Sequence, residues 1–245
     1  KDLKMDLKQM IKRKNEVVQQ TCDGIAYLMK KNKIDVIHGT GSFIDKNTIE
    51  VTPQKGKKQK IETDKTIIAT GSKPTSLPGI EIDKKRIITS TEALNLTEVP
   101  KHLILIGGGI IGLEMGSVFA RLGARVSVLE FMDGVIPTMD KSLGKELQKT
   151  LKGLGMEFYM NHKVTGATVK GKVVSIAAED KSGKEVSFKG DYCIMAVGRS
   201  PYTKGLALDN AGVTLDDRGR FDVNDELETN VKGIYAIGDV VKGAM

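Results

Sequence analysis

Three glycines and one glutamate carry the most chemical information in this chain. Gly107, Gly109 and Gly112 are spaced as G-x-G-x-x-G directly after the apolar run HLILI (102–106), and Glu130 closes the next such run, ARVSVLE, 18 positions beyond Gly112. In a chain with 27 glycines that string is weak by itself, but one that ends a strand and opens a helix is specific. There the first glycine permits a tight turn, the second lets backbone approach a pyrophosphate with no Cβ in between, and the third lets the helix lie close on the strand. The free N–H groups and positive end of the helix then face the phosphates. A carboxylate closing the second strand accepts hydrogen bonds from the adenosine ribose and repels a 2′-phosphate, so Glu130 predicts NAD rather than NADP. Arg125 starts the same strand and lies about 15 Å from its end at about 3.3 Å per residue, too far to reverse that preference. Glu114, on the helix's first turn, is either an acid favoured by the dipole or a functional side chain.

Other reactive side chains lack a pattern. Cys22 and Cys193 are 171 positions apart and form no C-x-x-C, metal-binding or disulfide framework. His38, His102 and His162 fall at strand or turn positions, as structural or surface histidines do. The net charge is +7, with basic residues gathered in IKRKN, MKKNK and PQKGKKQK. With 11 aromatic residues in the whole chain and none in those patches, they read as solvated faces and a hairpin tip, not a nucleic-acid surface. Apolar runs all fall well short of the roughly 18 residues of a membrane span, so no membrane-spanning helix is expected in these residues.

The elements that must position the glycine turn can be read around it. Residues 1–32 predict one surface helix with an apolar stripe at Leu3, Leu7, Met10, Ile11, Val17, Val18, Ile25 and Leu28. Short strands follow at VIHG, SFI, TIEV and KIET, then an apolar strand from Thr66 to Ala69. HLILI, a helix through Leu122, ARVSVLE and a helix from Lys141 to Leu154 give β-α-β-α, the pattern of a doubly wound parallel sheet. An internal repeat brackets this unit: DKTIIATGSKP (64–74) and DYCIMAVGRSP (191–201) match at Asp, Ile, Ala, Gly and Pro with an offset of 127. About 30 residues of short strands precede each copy, and MEFYM, KVTGATV, KVVSIAAED and EVSF mirror the hairpins between Val36 and Ile61. The offset is too long for a solenoid and indicates two domains on one plan.

At three places the wording itself resembles a known family. IGGGIIGLEMGSVFARLGARVSVLEF is similar to the NAD-binding unit of the dihydrolipoamide dehydrogenases, within the pyridine nucleotide-disulfide oxidoreductases. TIIATGSKPTSLPGI resembles the segment by which that family's FAD domain hands the chain to its NAD domain. ETNVKGIYAIGDV resembles its second flavin motif, with Thr229, Gly238 and Asp239 in register. The resemblance implies an α/β fold of two Rossmann-like dinucleotide-binding domains with small antiparallel β-meanders. The FAD domain would be discontinuous and incomplete (1–88 and 220–245), with the NAD domain (89–219) between. It implies FAD near Gly41, Thr70, Gly71, Ser72 and Met245, with Asp239 on the ribityl chain. NAD would lie against Gly107, Gly108, Gly109, Ile110, Ile111, Gly112, Leu113 and Glu114, with Glu130 on the ribose, Val164 on the adenine, and Gly198 and Glu114 near the nicotinamide.

What the family requires and these residues lack is equally informative. The first flavin glycine motif, the redox pair C-x-x-x-x-C and the His-Glu base do not occur here, and the chain runs from a lysine to Gly-Ala-Met. The expectation is an internal piece of a flavoprotein that oxidises dihydrolipoyl groups through FAD to NAD, inactive alone and with no catalytic residue of its own beyond an auxiliary Glu114. The intact protein would be a homodimer serving lipoyl domains of 2-oxoacid dehydrogenase or glycine cleavage complexes, cytoplasmic or, in a eukaryote, in the mitochondrial matrix. Alternatives are another NADH-linked flavoprotein of this architecture, such as a transhydrogenase or a mercuric-reductase-like enzyme, and a non-catalytic NAD-binding module.

Overall fold

The computed structural model of the chain describes residues 5–243. It opens with helix α1 (Leu7–Lys31), then strands β1 (Thr40–Asp45), β2 (Thr48–Thr52), β3 (Gln59–Glu62), β4 (Thr66–Ile68), β5 (Ser72–Pro74) and β6 (Ile87–Ile88). Next come α2 (Ser90–Ala93), β7 (His102–Ile106), α3 (Ile110–Arg121), β8 (Arg125–Leu129), α4 (Lys141–Gly153) and β9 (Met156–Tyr159). β10 (Lys163–Lys170), β11 (Val173–Glu179), β12 (Glu185–Gly190), β13 (Tyr192–Met195), β14 (Arg199–Pro201), α5 (Leu208–Ala211) and β15 (Ile234–Ala236) complete it, with a single 3-10 turn at Gly238–Val240. By its contacts the chain divides into two compact units, one running to Gln19 and resuming at Pro74–Gly198, the other comprising Gln20–Lys73 and the residues from Arg199 onward. Of the three division points, those after Lys73 and after Gly198 fall inside the copies of the internal repeat, while the one after Gln19 lies within α1.

The first unit has three layers. Its central parallel sheet has the order β6-β13-β7-β8-β9. Leu103, Leu105, Val126, Val128 and Met156 point to one face and pack with Leu113 and Phe119 of α3 and Leu151 of α4. Ile104, Ile106, Leu129, Cys193 and Met195 point to the other and pack with Val174 and Ile176 of the antiparallel meander β10-β11-β12. A strand buried on both faces takes apolar side chains at successive positions, as Leu103 to Ile106 do in β7 and Val126, Val128 and Leu129 mostly do in β8. Thr89 and Glu92 form a reciprocal capping box that starts α2, and the Asp140 carboxylate starts α4 by accepting from the Ser142 N–H at 2.7 Å.

The second unit carries its own meander, β1-β2-β3, a parallel pair β4-β15 and a pair β5-β14. Phe43, Ile68, Phe221, Ile234, Ala236 and Val240 make its core. In each unit a three-stranded meander leads into a buried or half-buried strand, then a glycine turn, so the repeat marks equivalent places in the two units.

The mixed α/β fold with a central parallel sheet stands as expected, but helices α3 and α4 cover one face and the meander covers the other, so the sheet is not wound with helices on both faces. Three local expectations are corrected. VIHG forms no strand, and Val36 and Ile37 are exposed, because no neighbouring strand pairs with them. MEFYM is not part of the meander: β9 is the edge of the parallel sheet, pairing Met156 with Val126 and Tyr159 with Leu129. Among the described residues of the stripe only Leu7 is buried, Met10, Val17, Val18, Ile25 and Leu28 being exposed, and Leu3 lies outside the described residues. Among the described residues no helix is long and apolar enough to cross a membrane.

On the meander side, the starting ends of β7, β8 and β9 carry a polar network in place of apolar packing. The Glu157 carboxylate accepts a paired contact from Arg125 (Nε at 2.9 Å, a terminal nitrogen at 2.8 Å), the Tyr159 hydroxyl at 3.0 Å and Ser127 Oγ at 3.2 Å. Led by the Arg125 contact, these donors hold Glu157 at about 2, whereas burial pushes His102, beside Ser127 Oγ at 2.9 Å, below its ordinary value. A depressed carboxylate stabilises the fold above its unfolded value near 4.3 and loses that contribution as pH falls towards 2. Because Arg125 and Glu157 are 56% and 38% exposed, solvent screening limits the effect. Glu157→Gln should therefore cost about 1 kcal/mol at pH 7 in urea unfolding, with the gap to the parent narrowing at pH 3. Equal stabilities at pH 7 would contradict this account.

Candidate functional site

The carboxyl ends of β7, β8 and β13 converge where the strand order reverses, since the chain moves from β7 to β8 and β9 on one side and returns as β13 on the other. Ligands of open α/β sheets bind at such a switch point. The glycine turn lies there. Gly107, at φ +105°, is clamped: a Cβ on it would overlap the Ala196 carbonyl oxygen, and its N–H donates to Leu129 O at 2.9 Å. At Gly112 a Cβ would sit 2.8 Å from Gly107 O and 3.1 Å from Ala196 Cβ, so the third glycine is what lets α3 lie on the turn. Gly116, one helical turn on, faces Leu105 and Met156 with as little space, at 2.6 and 2.7 Å.

Gly109 is different. It stands at the N-cap of α3 in extended backbone, with nothing within 4 Å of where a Cβ would be. Its lack of a side chain answers no demand of the fold. No side chain caps α3, and Ile110 and Ile111 are 49% and 37% exposed beside it. An uncapped helix start with unpartnered N–H groups, flanked by exposed apolar side chains and room at the second glycine, suits an anion with an apolar body attached.

Glu130 is buried to 8% exposure at the end of β8. Its carboxylate accepts from the Gly108 N–H at 2.5 Å and the Met132 N–H at 2.7 Å. Each oxygen keeps a free lone pair, so the group can brace the turn and still receive ribose hydroxyls. The distance of Glu130 from the glycines in sequence marks the residue but gives no sign of this bracing role. Leu113 is buried against the sheet and Glu114 is exposed. Gly198, at φ +125°, ends the run after β13 on the opposite side of the switch point, exposed, its carbonyl accepting from Thr75 N at 3.0 Å. Val164 sits on β10, half-buried, two residues beyond His162, whose N–H donates to Glu130 O at 2.9 Å. The structure therefore gathers Gly107–Glu114, Glu130 and Gly198 at one set of strand ends, with Val164 beside the Glu130 turn.

In the second unit, Ser72 Oγ donates to Asp239 Oδ2 at 2.5 Å and accepts from Arg199 Nε at 2.6 Å, while a terminal nitrogen of Arg199 donates to Ser72 O at 2.6 Å. Thr70 Oγ1 donates to Tyr202 O at 2.6 Å, and Gly71 O accepts from Tyr202 N at 2.8 Å. These four expected residues are neighbours. Gly41 lies apart on β1, paired with Val51 of the meander, and Met245 lies outside the described residues. Arg199 was missed, although the repeat aligns it with Ser72 at the offset of 127.

A family model described as pyridine nucleotide-disulphide oxidoreductase matches residues 3–245. The chain belongs to that family. Like the three motifs, the comparisons point within these oxidoreductases to the dihydrolipoyl dehydrogenases. The mitochondrial dihydrolipoyl dehydrogenase of Pisum sativum is 42% identical over the whole chain and 49% of its own length. Dihydrolipoyl dehydrogenase 3 of Pseudomonas putida is 44% identical over 98% of this chain and 52% of its own. The solved HOCl-induced flavoprotein disulfide reductase RclA of Escherichia coli superposes with a TM-score of 0.89 at 30% identity, covering 98% of this chain and 54% of that one. The chain thus spans about half the length of the curated relatives it matches.

The glycine geometry makes a prediction about stability alone. Gly107→Ala and Gly112→Val force backbone apart and should each cost about 1–3 kcal/mol, while Gly109→Val should stay within about 0.5 kcal/mol of the parent. Denaturant midpoints check this, and comparable losses at all three positions would refute it.

Proposed function

We propose that this chain is the NAD-binding region and part of the FAD-binding region of a dihydrolipoyl dehydrogenase, an enzyme whose net reaction is dihydrolipoyl dithiol plus NAD⁺ to disulfide, NADH and a proton. The observation that carries the reading is Gly109: an unfilled place at an uncapped helix start, on the switch point of a parallel sheet, in a chain similar over its full length to dihydrolipoyl dehydrogenases.

Each residue then has a physical task. The N–H groups at the start of α3 receive the pyrophosphate, and Ile110 and Ile111 supply apolar cover beside it. Glu130 receives the adenosine ribose and disfavours a 2′-phosphate, while Val164 borders the adenine. Gly198 and Glu114 lie towards the nicotinamide. In the second unit the fit to a flavin rests on Asp239, a half-buried carboxylate steadied by Ser72 and able to accept from ribityl hydroxyls. Thr70 and Gly71 belong to the same turn. Bound FAD supplies the electron relay between dithiol and nicotinamide.

The sulfur chemistry does not lie with Cys22 and Cys193. Dithiol oxidation needs an accessible thiolate with a partner sulfur beside it. Cys193 is wholly buried on β13, and burial pushes its thiol far above the ordinary value; Cys22 is an exposed free thiol on α1. As partners the reading implies lipoyl-bearing domains of 2-oxoacid dehydrogenase or glycine cleavage complexes and, for the intact protein, a second copy of itself. Relatives named from mitochondria and from a bacterium fit a matrix or cytoplasmic setting.

Calorimetric titration tests the site. NADH should bind, NADPH should bind at least tenfold more weakly because two like charges about 4 Å apart repel by a few kcal/mol, and Gly109→Val should abolish NADH binding. Equal affinity for the two nucleotides would end the assignment of Glu130. A turnover assay tests the placement of the chemistry. The purified 245-residue chain, given FAD, NAD⁺ and dihydrolipoamide, should turn over no faster than free flavin. A faster rate would place the dithiol chemistry within these residues after all.

A further inference from the structure

The glycine turn is held from outside its own motif. Gly108 has both backbone groups engaged: its N–H donates to Glu130 Oε2 at 2.5 Å and its carbonyl accepts from the Ile136 N–H at 2.9 Å. Ile136 makes that bond at φ +42°, the one β-branched residue among the six non-glycine residues described at positive φ. A branched side chain resists this conformation, which persists only where the surroundings impose it. Here they do. The Ile136 side chain and its neighbour Val135 are buried, at 6% and 4% exposure, and the Ile136 carbonyl accepts from Met139 N at 2.9 Å. On α4, Gly144 leaves room for the Val135 carbonyl, which a Cβ would meet at 2.8 Å.

The consequence runs through one peptide plane. The bond between Gly108 and Gly109 is trans, so its C=O and N–H point in opposite directions. Drawing the Gly108 carbonyl towards Ile136 turns the Gly109 N–H away from that loop, and this N–H has no acceptor among the described residues. We propose that Ile136 is a positioning residue whose left-handed backbone holds the Gly108 carbonyl so that the Gly109 N–H is presented to the dinucleotide pyrophosphate. The proposal rests on the NAD reading of the site and deepens it, because the aim of the donor is set by a residue 27 positions further along the chain.

Amide hydrogen exchange followed by NMR on the 245-residue chain reads both donors directly. The Ile136 amide should be protected without ligand. The Gly109 amide should exchange freely, gain protection with NADH and gain none with adenosine, which carries no phosphate. Two variants separate positioning from packing: Ile136→Ala and Ile136→Gly both lose the buried side chain, but only glycine takes a positive φ freely. Alanine should weaken NADH binding about tenfold, the worth of one misaligned hydrogen bond to a charged group, while glycine stays within about threefold and adenosine affinity is unchanged in both. A folded Ile136→Ala chain that binds NADH like the parent would overturn the proposal, as would an Ile136 amide that exchanges freely in the parent. Should the parent bind no NADH at all, the NAD reading fails first and takes this proposal with it.

Discussion

Where β7 ends, the backbone at Gly107 passes so close to the Ala196 carbonyl that no side chain fits between them. This approach ties together elements far apart in the sequence. β13 lies beside β7, the Gly107 N–H reaches back to the end of β8, and α3 departs across a turn that Gly112 can touch without a Cβ. With β7 at the centre, its neighbours on both sides end at the same level, and a crevice opens at the reversal of strand order. A looser turn would let α3 lift from the sheet, and the helix start would no longer face that crevice.

The positions legible in the sequence are those whose signal is local. HLILI and ARVSVLE announce buried parallel strands because apolar side chains are needed on both faces. Gly107 to Gly112 and Glu130 sit at spacings set by one turn, one helix and one strand. Other residues matter through contacts with distant segments, and their local sequence is ordinary. Ala196 is a small residue after a strand, and Ile136 precedes a proline in a loop that reads as apolar filler. MEFYM alternates in a way that suits a meander as well as the edge of a parallel sheet, and only its pairing with β8 decides. VIHG has strand composition but no partner strand, and composition cannot supply one.

The two carboxylates proposed for the nucleotide sites also differ in how much of their surroundings shows in sequence. Glu130 is found by its distance from the glycines, yet half of what it does is to hold backbone, through the N–H groups of Gly108 and Met132. A variant at this position would therefore report on turn geometry as well as on the proposed nucleotide preference. Asp239 is found by its motif, while its orientation depends on Ser72 and, through Ser72, on Arg199.

Ser72 and Arg199 occupy the same place in the two copies of the repeat and are bonded to each other. Both fall in the second unit. Here a change in one copy is felt at the equivalent residue of the other, because the guanidinium holds both the hydroxyl and the carbonyl of the serine. The two halves can differ elsewhere, but at this position they are physically tied: replacing Arg199 removes two donors from Ser72, and replacing Ser72 with a residue lacking a hydroxyl removes one acceptor from Arg199.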